Sequence, residues 1–121
     1  TEAVSIVADT DPDAAKRPTD VSAIEPLRTL MQNEVGVLRD TAGLAHALKA
    51  IRKQRSKPHT PSARNALVAA ELIASAALLR RESRGGHART DYPATTAAPS
   101  HTVFTLDLLR EAADAALAAV V

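Results

Sequence analysis

The side chains of this chain that could do chemistry are concentrated in residues 80–93, Arg-Arg-Glu-Ser-Arg-Gly-Gly-His-Ala-Arg-Thr-Asp-Tyr-Pro. His87, Arg89 and Asp91 alternate, so an extended backbone presents them on one side. Arg84 and Arg89 can pair with Glu82 and Asp91 and hold the exit of a preceding helix in place, which is the reading the residues favour. The alternative is a polar face that docks onto another surface, its two arginines and histidine fixing a dicarboxylate. Gly85 and Gly86 can stop the helix with a left-handed residue, and Pro93 biases Tyr92 toward extended geometry. His87 and His101 with Asp91 carry metal-type donors, but their spacing fits no template, and no metal ligand is assigned. His46 and His59 read as solvated or packed histidines.

The remaining composition excludes several chemistries. There is no cysteine, hence no disulfide, thiolate or iron–sulfur ligation. No dinucleotide glycine pattern, P-loop, HExxH or nucleophile elbow occurs. Fifteen Lys and Arg stand against 14 Asp and Glu, a balance unlike that of a nucleic-acid or anionic-membrane binder. The basic run Lys49, Arg52, Lys53, Arg55, Lys57 lacks interleaved aromatics and suits a helix C-terminus. The longest apolar stretch, Ala66–Leu79, is broken by Glu71 and falls short of a membrane span. A chain of 121 residues corresponds to one domain, and 26 of its apolar residues are alanine. Such a core packs helices closely and leaves little room for a cofactor.

Four helical segments must position the motif. Residues 1–20 read as a linker or the end of a preceding domain: a short run Ala3–Ala8, then an acidic, proline-containing stretch. That opening, and a first residue Thr1, suggest a piece of a longer protein. Helix one is expected from Val21 or Ser22 to about Arg39. Ser22 and Glu25 form a capping box, Val21 a staple, and Gly36 marks a close crossing. Asp40 or Thr41 caps a second helix over Ala42–Arg55, with Leu44, Leu48 and Ile51 inward. Pro58 and Pro61 stop it. Ser62 caps a third helix to about Ser83, apolar over so wide an arc that it must be central. Thr105 caps a last helix from Leu106 to Val121, with Leu108, Leu109, Ala112, Ala113, Ala116, Leu117 and Val120 inward. Val103 and Phe104 precede it as a short extended piece. The expected fold is all-α, a small three- to four-helix bundle with an irregular polar segment between the third and last helices.

The stretch ESRGGHARTDYP, Glu82–Pro93, resembles the ESRG-x-H-x-x-x-DYP segment of the L-aspartate oxidase family. It is also similar to the SRG-x-H-x-R-x-D-Y/F-P segment of succinate dehydrogenase and fumarate reductase flavoproteins. LRTLMQNEVGVLRDTAGLAHAL, Leu27–Leu48, is similar to the first helical hairpin of their C-terminal domain. NALVAAELIASAALLRRESRG, Asn65–Gly85, resembles the helix leading into the motif. The glutamate of ESRG favours the oxidase, whereas Arg89 is more typical of the respiratory type. Gly86 departs from the bulkier residue often found there.

The resemblance implies that residues 21–121 are the C-terminal helical domain of a cytoplasmic flavoprotein. FAD would be held by a missing N-terminal domain, and no catalytic or cofactor-binding residue lies in this chain. Glu82, Arg84, His87, Arg89, Asp91 and Tyr92 would support the junction with the FAD-binding and capping domains, His87 and Arg89 nearest the active site. The implied whole-protein activity is oxidation of L-aspartate to iminoaspartate for NAD synthesis, with quinolinate synthase as a partner and neither nucleic acid nor membrane involved; the alternatives are a flavoprotein subunit domain of succinate dehydrogenase or fumarate reductase, and a free-standing helical protein-interaction module.

Overall fold

The computed structural model describes residues 21–120. The Ala3–Ala8 run, the linker and the side chain of Val21 lie outside the described residues. In chain order the elements are α1 (Val21–Glu34), β1 (Leu38–Arg39), α2 (Thr41–Arg55), α3 (Pro61–Leu79), β2 (Ala88–Arg89) and α4 (Leu106–Ala118). The fold is an all-α bundle with one minimal sheet.

α1 carries Pro26 within its second turn. It ends at Glu34, five residues before the expected Arg39, and Val35 N–H closes it on Met31 O at 3.0 Å. Gly36 is the cause, and it is no helix crossing. A Cβ there would lie 2.6 Å from Gln32 O, and the Gly36 carbonyl accepts Arg39 Nε at 2.7 Å. Val35 stays buried, whereas Val37 and Leu38, which continue the helical apolar spacing, are 75% and 69% exposed.

Beyond that break β1 pairs in parallel with β2, Leu38 opposite Ala88 and Arg39 opposite Arg89. Two-residue strands fifty positions apart carry no periodic signal, so sequence reading missed them.

α2 starts where expected. Asp40 is its N-cap, the carboxylate accepting Gly43 N–H at 2.7 Å, which satisfies one of the orphan donors of the first turn. Leu44, Ala45, Ala47, Leu48 and Ile51 are buried. The cap of α3 is Thr60 rather than Ser62, with Pro61 at the first position, where its missing N–H does no harm. α3 ends at Leu79, short of the expected Ser83, because Arg80 turns extended.

α3 packs between α2 and α4, the central place its apolar arc requires. The core joins Val35, Leu44, Ala47, Leu48, Ile51, Leu67, Ala70, Ala74, Ala77, Leu78 and Ala113, with Leu27, Leu30 and Met31 of α1 laid against it. Alanine at so many contact positions lets the helix axes approach closely. By length and composition α3 could cross a membrane, but here both neighbouring helices cover it.

α4 is capped by Thr105 as expected. Leu109 and Ala113 are buried and Ala116 and Leu117 partly so, while Leu108, expected inward, is 55% exposed. Val103 and Phe104 form no strand and lie exposed.

Candidate functional site

A helix end leaves carbonyl oxygens without partners. At the end of α3 they are satisfied by a side chain ten residues further on. Arg89, only 1% exposed, donates Nη1–H to Ala77 O at 2.9 Å and Leu78 O at 3.1 Å. Its Nε and Nη2 grip Asp91 in a fork at 2.8 and 2.9 Å, and Nη2 also donates to Thr41 Oγ1 at 2.8 Å. Thr41 returns both its N–H and its hydroxyl to Asp91 Oδ2, at 3.0 and 2.5 Å. One guanidinium thus ties the exit of α3 to the first residue of α2. The planar, five-donor geometry of arginine makes that possible, and lysine could not reproduce it. The Tyr92 ring lies over the same group, 5.0 Å from Cζ to ring centroid, adding a cation–π contact.

The second carboxylate is organised in the same way. Glu82 is buried, with Arg80 Nη2 at 2.8 Å and Arg84 Nε at 3.2 Å. Thr96 donates its hydroxyl at 2.6 Å and its N–H at 3.2 Å. Those Thr96 bonds, opposed in part by burial and aided by Arg84, hold the Glu82 carboxyl down at about 2. The Arg89 hydrogen bonds, opposed by burial and aided by Thr41, hold Asp91 well below the usual carboxylate range. Ser83 completes the knot by accepting Arg89 N–H at 2.8 Å and reaching Tyr92 O at 2.9 Å.

Gly85, with φ of +58°, does not cap α3. It turns a tight loop in which Arg84 and His87 exchange backbone hydrogen bonds at 2.8 and 3.1 Å. That loop aims the His87 ring inward. Arg39 Nη1 lies 3.0 Å from Nδ1 and Arg80 O lies 2.9 Å from Nε2. Guanidinium only donates and a carbonyl only accepts, so these neighbours select the neutral tautomer with its proton on Nε2.

The structure therefore brings together Glu82, Arg84, His87, Arg89, Asp91 and Tyr92. The expected pairs Arg84–Glu82 and Arg89–Asp91 both form. Arg84 also donates to Thr96 O at 2.7 Å, so both motif arginines are engaged within the chain rather than held open for a dicarboxylate. His101 is exposed and apart, and among the described residues no cluster could hold a metal. The cleft beside the motif, about 310 Å³, is lined by residues including Leu79, Arg80, Arg81, Glu82 and Phe104. That volume lies at the small end of the range for small-molecule sites.

Sequence reading missed two features. Arg39 and Thr41, fifty residues from the motif, complete its polar network. Glu71, only 1% exposed, is the hub of α2, α3 and α4. It receives Arg55 Nη1 at 2.5 Å, Arg110 Nη2 at 3.1 Å and Arg52 Nε at 3.5 Å, and Arg52 also pairs with Asp114. The arginines at the end of α2 thus do more than offset the helix dipole. The available signal was a lone carboxylate inside an alanine-rich helix together with an excess of arginine over lysine.

The bundle, the Glu71 clamp and the arginine-capped helix exit together define a small helical domain. Residues 58–114 match the family described as the fumarate reductase flavoprotein C-terminus. Over 93 residues it is 48% identical to an L-aspartate oxidase of Rhodospirillum rubrum, covering 74% of this chain and 34% of the relative. Over 87 residues it is 44% identical to an L-aspartate oxidase of Caulobacter vibrioides, covering 71% of this chain and 16% of the relative. An uncharacterized FAD-dependent oxidoreductase of Methanocaldococcus jannaschii is 34% identical over 84 residues, 60% of this chain and 16% of that protein. The chain spans about a third or less of the length of these relatives. No solved structure matches it.

Proposed function

We propose that this chain is the C-terminal helical domain of an FAD-dependent L-aspartate oxidase, which converts L-aspartate to iminoaspartate for NAD synthesis in the cytoplasm. The observation that carries the reading is the 48% identity to an L-aspartate oxidase, over a stretch three quarters the length of this chain. Flavin and substrate are held by the FAD-binding and capping domains of the full polypeptide, and this domain packs against them. When bound, FAD supplies the hydride acceptor. Glu82, Arg84, His87, Arg89, Asp91 and Tyr92 contribute by fixing the shape and charge of the surface presented to those domains. Quinolinate synthase is the enzyme that would consume the product. The domain by itself binds no FAD and turns over no substrate.

A second reading is favoured by one residue. Arg89, with the fumarate reductase description of the matching family, suits a respiratory flavoprotein subunit. Full-length protein carrying this domain, assayed for peroxide release on L-aspartate and on succinate, separates the two. Peroxide from L-aspartate alone supports the oxidase. Oxidation of succinate alone supports the respiratory subunit, and a full-length protein without flavin overturns both.

A further inference from the structure

The β1–β2 end of the bundle presents a surface unlike the rest. Leu38 pairs with Ala88, and Arg39 pairs with Arg89 and reaches the His87 ring. Val37 and Leu38, two large exposed apolar side chains, thus lead into β1, whose partner β2 follows the Gly85–Gly86 turn, a stretch of backbone with no side chain at all. A Cβ built on Gly85 or Gly86 meets nothing within 4 Å. Gly85 needs its positive φ, but Gly86 has no conformational requirement for glycine. Arg39 follows this apolar pair and reaches across to His87, which closes the turn. Its Nε and one Nη1 proton are fixed by Gly36 O and His87 Nδ1. The Nη2 protons have no partner among the described residues. An arginine oriented by its own chain, with donors left over and exposed aliphatic neighbours, has the composition of an interface anchor.

We propose that Val37, Leu38, Arg39 and the Gly85–Gly86 turn form the face on which the preceding domains of the same polypeptide dock. The partner surface is apolar and carries a carboxylate that takes the free Arg39 donors. Its main chain comes close to Gly86. This inference rests on the proposed function, and the relatives supply the occupant. The stretch matched here is 16% of the length of two of them, so most of such a protein lies outside this domain and can supply the docking partner. The charge of this end fits as well. Glu82 and Asp91 are already held by arginines, so neither carboxylate competes for the remaining Arg39 donors. On this account His87 is a positioning residue for Arg39.

Hydroxyl-radical footprinting of the full-length protein tests the face. Leu38 and Leu108 are the same residue type and similarly exposed in the domain, at 69% and 55%. With the face docked, Leu38 is modified severalfold more slowly than Leu108. Modification of Leu38 at least as fast as that of Leu108 overturns the proposal. So does protection that disappears on dilution, which assigns the face to a second copy, or on removal of residues 1–20. As a second arm, Gly86→Trp adds a bulky group where the domain itself has open space. In the full chain it lowers the melting temperature or releases the domain to protease, while Ala115→Trp on the exposed side of α4 does neither. Equal behaviour of the two variants overturns the proposal. The footprint needs no flavin, so a full-length protein lacking FAD would defeat the proposed function while Leu38 still reports on docking.

Discussion

Replacing Arg89 by alanine removes the group that finishes α3. Two buried carbonyls, Ala77 O and Leu78 O, lose their donor, as does the hydroxyl of Thr41. A buried acceptor left unsatisfied costs about 1–3 kcal/mol. Asp91, about a third exposed, can recover water, so its loss of the arginine adds less. The sum for Arg89→Ala is about 3–5 kcal/mol, a large share of a domain's usual margin of about 5–15. Arg89→Lys keeps the charge but cannot reach the helix end and Asp91 together, and loses about 2 kcal/mol. Asp91→Ala leaves a buried guanidinium without its counter-charge and loses about 3–5 kcal/mol. Urea unfolding followed by circular dichroism reads all three. With a slope of about 1–2 kcal/mol/M, Arg89→Ala moves the midpoint down by about 1.5–5 M. A loss below about 1 kcal/mol, the range of exposed surface pairs, would refute the reasoning.

Glu71→Ala strands three converging arginines. Because each is partly exposed and can turn outward, it costs about 2–3 kcal/mol rather than the full penalty of a buried pair, read as a shift in urea midpoint. Glu82 is held at about 2 against an ordinary 4.5, so its contribution to stability is complete above 4.5 and lost as pH falls toward 2. Asp91 acts in the same direction below 3.8. The acid limb of a stability–pH curve therefore flattens in Glu82→Gln, and an unchanged limb would contradict the assignment. Gly85→Ala loses about 1 kcal/mol or more for its left-handed backbone while Gly86→Ala loses almost nothing in the domain, a pair that thermal melts distinguish. Gly36→Ala, whose new Cβ would meet Gln32 O at 2.6 Å, lowers the melting temperature, and a neutral result would show that the chain can leave α1 elsewhere.

What was legible in the sequence was local. Asp40 and Thr105 were readable as caps because the donors they satisfy lie three residues away. The apolar arc of α3 announced a central helix because the 3.6-residue period records burial on every side. Arg84–Glu82 and Arg89–Asp91 are two residues apart and could be paired by inspection. The features that escaped depend on distant partners. Thr41 and Arg39 meet the motif across about fifty positions, and Arg110 meets Glu71 across 39. The end of α1 was misread because Val35, Val37 and Leu38 continue a helical apolar pattern. Contact of any Gly36 Cβ with Gln32 O was not visible in that pattern. Leu108 was misplaced for a related reason: only Leu109 and Ala113 of α4 are fully buried, so its buried stripe is narrower than its apolar one.

The central claim is that this domain belongs to a flavoprotein that oxidises L-aspartate. Its most direct test is anaerobic mixing of the full-length holoprotein with L-aspartate or with succinate while the visible flavin band is followed. The account predicts bleaching within the dead time or shortly after with L-aspartate and an unchanged spectrum with succinate. Bleaching by succinate alone, or a band indifferent to both, would contradict it.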